Sequence, residues 1–124
     1  MIAVASVSPL QQLRDQRHRD WLTALQQQLV DALASEQADP SLWAIHLFGS
    51  RARGDWDGLS DTDLLVVGSE QHLAERLAER LRLAGVGDDV VAMDQSRWSQ
   101  LPADPSPYWC GVARDALRLV GDLP

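Results

Sequence analysis

Apolar residues in the first third of the chain recur at a helical period. Trp21, Leu22, Leu25, Leu29, Ala32 and Leu33 fall on one side of a 3.6-residue repeat. Ser8-Pro9 offers an N-cap followed by a residue suited to the first turn. The pattern predicts one long amphipathic helix over residues 9–36, ended by Asp39-Pro40. The run WAIHLF, residues 43–48, is short, apolar and followed by glycine, which suits a strand. A polar, glycine-rich stretch, GSRARGDWDGLS, then leads to a second strand over 61–68, DTDLLVVG, with two acids at its start.

Ser69 is the expected cap of a helix whose Leu73, Leu77, Leu81 and Ala84 form a stripe ending at Gly85. Residues 88–94, DDVVAMD, read as a third strand. The proline-rich remainder suggests a loop, a short helix and an edge strand near 117–120. Strands alternating with helices predict an α/β (α+β) fold, a small mixed sheet with helices packed on one face. One domain over 1–124 is expected: the N-terminal helix, a core over about 43–94, and a C-terminal helix and edge strand over about 105–121.

Charge narrows the partners. With 11 Lys and Arg against 18 Asp and Glu, the net charge is −7, which disfavours extended nucleic-acid binding. A compact triphosphate is not excluded, because a metal ion and a few oriented donors decide its binding locally. The lone Cys110 and the scattered His18, His46 and His72 give no zinc spacing. No run approaches the roughly 20 apolar residues of a membrane span, and the first residues lack the basic start of a secretory signal, so a cytoplasmic protein is expected.

The chemistry is concentrated in the middle of the chain. Asp61 and Asp63 alternate at the mouth of an apolar strand, so a period of two turns both carboxylates to one face. Carboxylates that close repel each other, and Mg²⁺, a hard ion preferring oxygen, relieves the conflict when shared between them. Upstream, Gly49 lets the backbone approach a phosphate, Ser50 can donate a hydroxyl, and Arg51 or Arg53 can add fixed positive charge. Gly49 to Gly54 satisfies half of a phosphate-loop motif, but Asp55-Trp56 stands where Lys followed by Ser or Thr is needed.

The residues Leu47-Phe48-Gly49-Ser50, the ten-residue spacer and Asp61-Thr62-Asp63-Leu64 resemble the signature of the polymerase-beta nucleotidyltransferase superfamily, and in particular its minimal nucleotidyltransferases. The resemblance covers about 43–94 well and the tail weakly. It implies a third acid, for which Asp89 before Val90-Val91 is preferred over Asp88, and Asp94 is expected to cap a helix instead. It further implies two Mg²⁺ ions held by Asp61, Asp63 and Asp89, with Asp89 helping to activate an acceptor hydroxyl. The substrate would be ATP or another NTP, from which AMP passes to a tyrosine or similar group on a HEPN-type toxin, so that the protein acts as an antitoxin. The alternatives are a binding module that neutralises its partner by occlusion and a small-molecule transferase of the aminoglycoside-modifying kind. A homo-oligomer is left open. His46 is expected to be a core or surface residue, and Trp56 is a side candidate for stacking on a nucleobase.

Overall fold

The computed structural model describes residues 8–54, 56 and 60–124, so part of the polar stretch, residues 55 and 57–59, lies outside it. Helix α1 runs Pro9–Leu33, and the Ser8 hydroxyl accepts the Gln11 amide at 3.1 Å as an N-cap. A 3₁₀ turn, Ala34–Glu36, extends it to the expected end, where Gln37 reverses the chain at φ 53°. Strand β1 is Trp43–Phe48, and the four-residue helix α2, Ser50–Arg53, follows Gly49. Strand β2 is Asp63–Gly68, helix α3 Gln71–Leu83 and strand β3 Asp89–Asp94. Helices α4, Gln95–Gln100, and α5, Pro107–Asp115, lead to strand β4, Leu117–Gly121.

The sheet has the order β3-β2-β1-β4, with β1 antiparallel to both β2 and β4 and β2 parallel to β3. Helix α3 makes the crossover that a parallel pair requires. Alternation along the strands sends Ile45, Leu47, Leu64, Val66 and Val90 to one face, where they pack with Leu25 and Leu29 of α1 and Leu77 and Leu81 of α3. Ala44, Phe48, Leu65, Val67 and Met93 face the other way, against Leu101 and Val112. The expected single helical layer therefore describes the two long helices, and the short α4 and α5 close the second face.

Three local expectations are adjusted. The second strand begins at Asp63 rather than residue 61, because the amides of Asp88 and Asp89 both reach the Thr62 carbonyl, at 2.8 and 3.3 Å, and regular pairing starts one residue later. Ser69 does not cap α3: its amide bonds the Leu42 carbonyl, and Glu70 takes the cap position without a side-chain bond. The buried stripe of α3 is Ala74, Leu77, Ala78 and Leu81, with Ala84 exposed beyond the helix end. Asp94 caps α4 as expected, accepting the Arg97 amide at 2.7 Å. Among the described residues no helix is long and apolar enough to cross a membrane.

Candidate active site

The site grows from the end of β1. Gly49 adopts φ 79° and ψ −159°, a conformation that side chains disfavour, and it turns the chain from strand into α2. A Cβ there would also collide with the Asp63 carboxylate, which lies against the glycine. The space glycine leaves is thus filled by an acid, and Ser50 begins α2 beside it. The amides of Ala52 and Arg53 bond back to the Gly49 carbonyl, both at 3.1 Å, which fixes the turn.

Sheet register assembles the acids. Asp63 opposes Phe48 across the antiparallel pair and stands in register with Asp89 across the parallel one. Asp63 shares its face with Leu65 and Val67, and Asp89 shares the same face with Met93. Asp88 falls out of this arrangement, because its carboxylate is spent accepting the Thr62 amide at 2.7 Å. Asp61 is exposed and stands ahead of the ladder.

Electrostatics ties these groups together. Partial burial pushes the Asp63 carboxyl above the usual range, and the charges of Asp89, Asp61 and Asp88 push it further, while Arg53 opposes them. Even so, no three Asp, Glu, His or Cys side chains converge as a metal cluster among the described residues.

The two arginines part company. Arg53 borders a pocket of about 300 Å³ together with Phe48, Gly49, Tyr108, Arg114 and Asp115. Arg51 lies over the Trp21 and Trp56 rings, 4.3 and 4.9 Å from their centroids, and its buried Nε has no hydrogen-bond partner among the described residues. Trp56 also stacks on His18 at 5.1 Å and carries the Arg14 guanidinium at 4.8 Å, so its ring is already engaged. His46 is buried and stacked on Trp98 at 4.4 Å; burial, then Arg118, lowers it to about 4 and keeps it neutral, as a core histidine.

Sequence reasoning missed Tyr108, Arg114 and Asp115. Pro107 and the apolar period announce a helix there, but nothing in the sequence says that α5 lies over the end of β1. Burial, then the charges of Asp63 and Asp89, holds the Tyr108 phenol above its ordinary value, which puts it within reach of both carboxylates' fields.

Comparison with known proteins agrees with this layout. A crystal structure of a candidate nucleotidyltransferase from Sulfolobus solfataricus is similar in fold, with a TM-score of 0.53, 22% identity and coverage of 82% of each chain. No curated protein matches the chain. The nucleotidyltransferase domain family matches residues 27–107, from within α1 to the start of α5. This chain belongs to the nucleotidyltransferase domain family.

Proposed function

We propose that the chain transfers AMP from ATP to a hydroxyl on a partner protein in the cytoplasm, most specifically a tyrosine of a HEPN-type toxin that it thereby silences. The observation that supports transfer at this place is the register of Asp63 with Asp89 on one face of the sheet, beside the Gly49-Ser50 turn. Family membership supports nucleotidyl transfer in general. The toxin partner rests on the resemblance of the motif alone.

The donor set suits Mg²⁺. Asp61, Asp63 and Asp89 offer only carboxylate oxygens, and burial, then the charges of Asp89 and Asp61, raises Asp63, with Arg53 opposing in part. Bound there, Mg²⁺ would polarise the phosphate and stabilise charge on the attacking and leaving oxygens. Ser50 and the first amides of α2 would meet phosphate oxygens. Arg53 would add positive charge from the pocket side. Asp89 would accept the proton of the acceptor hydroxyl as it attacks the α phosphorus. Positioning and charge stabilisation carry most of such a transfer.

Incubation with labelled ATP, Mg²⁺ and the neighbouring gene product is expected to label that product, and Asp63→Asn to abolish labelling. No transfer at saturating metal would defeat the reading. A second reading, neutralisation by occlusion, is favoured by one feature: Leu10 and Leu13 on the outer half of α1 are 80% and 47% exposed. Under it, Asp61→Asn with Asp63→Asn leaves neutralisation intact.

A further inference from the structure

The pocket beside the Gly49-Ser50 turn is bordered by a side chain that carries a hydroxyl of the kind such a site acts on. Tyr108, the chain's single tyrosine, stands in the first turn of α5, is 59% exposed, and borders the pocket with Gly49 and Arg53. Its ring forms a T-shaped pair with that of Trp109, with centroids 5.1 Å apart at 81°. The hydroxyl makes no hydrogen bond among the described residues. We propose that Tyr108 is itself an acceptor, and that the chain places a nucleoside monophosphate on its own phenol.

This rests on the transferase reading above. Two observations bear on the phenol. Tyr108 shares the pocket lining with Gly49 and Arg53, at the turn that stands against Asp63. Burial, then the charges of Asp63 and Asp89, holds the phenol above its ordinary value, and sheet register pairs those two carboxylates. In the step, the Tyr108 oxygen bonds to the α phosphorus of a nucleoside triphosphate. The bond from that phosphorus to the bridging oxygen breaks, and pyrophosphate leaves with the electron pair. The phenolic proton passes to the Asp89 carboxylate.

The test uses the full chain with MgATP and each other ribonucleoside triphosphate, read by peptide mass spectrometry beside a direct measurement of nucleotide binding. A nucleotide adduct on Tyr108 is expected, forming at a rate independent of protein concentration and absent from Tyr108→Phe. A second readout needs neither metal nor nucleotide. Because the chain has one tyrosine, its ionisation can be followed by ultraviolet absorbance, and Asp63→Asn and Asp89→Asn should each move the midpoint down. Bound nucleotide without an adduct at Tyr108, a rate that climbs with protein concentration, or a midpoint unmoved by both substitutions would overturn the proposal and leave the transferase reading standing. A chain that binds no nucleotide overturns both.

Discussion

Asp63 carries the heaviest constraints of any residue in the site. It is pressed against Gly49, paired with Asp89 and half-buried, so its charged form is disfavoured in the fold. A carboxyl raised by folding binds its proton more tightly in the native state. The contribution of this one group is then most favourable at low pH and declines as pH rises from the unfolded value through the raised one. Asp63→Asn is expected to raise the thermal midpoint of the metal-free protein by a few degrees at neutral pH and to flatten that decline, measured by melting curves across pH. Mg²⁺ should raise the midpoint of the native protein and not of the variant. Gly49→Ala meets both a positive φ and the Asp63 carboxylate, so a loss of about 1–3 kcal/mol is expected in denaturant unfolding, together with loss of transfer.

Elements contribute unequally. The inner half of α1 buries Leu25, Leu29 and Leu33 against the sheet, and Gln26 bonds the Leu119 carbonyl at 3.0 Å. The outer half is held mainly through Trp21, His18 and Arg14 on Trp56 and Arg51. Leu29→Ala should therefore cost about 2–5 kcal/mol in unfolding free energy, as for a fully buried leucine. Trp56→Ala should cost about 1 kcal/mol, the scale of one stacked aromatic and cation pair. Equal losses in the two variants would mean that the outer half is as firmly seated as the inner. The same cluster explains why Arg51 is a poor candidate for phosphate: its guanidinium is committed to two indole faces, and Arg53, two residues on, takes the pocket side.

At the scale of the whole molecule, acid stability should follow His46. Folding lowers its value from 6.5 to about 4, so the unfolded chain takes up a proton that the native state refuses. The contribution is complete above the unfolded value and is lost as pH falls towards the folded one. Unfolding free energy is expected to drop between about pH 6.5 and 4, and His46→Gln should remove much of that slope in denaturant titrations. The histidine lies in the core formed by α4 and α5, so a slope unaffected by the substitution would show that this layer opens before the rest.

Local chemistry wrote much of this into the sequence. The 3.6 period of α1, the apolar runs of β1 and β2 and the Asp94 cap appear in the structure because each depends on neighbours a few residues away. The Gly49-Ser50 turn was legible for the same reason, whereas Asp61, expected on the strand with Asp63, stands exposed ahead of it. Which of Asp88 and Asp89 shares the face of Asp63 depends on parallel register with β2, which puts Asp89 opposite Asp63 and Asp88 on the Thr62 amide. The fates of Arg51 and Arg53, the second helical layer and the place of Tyr108 on the pocket beside Gly49 were decided by tertiary structure alone. They depend on contacts between segments far apart in the chain, and no local period encodes which surfaces those segments will share.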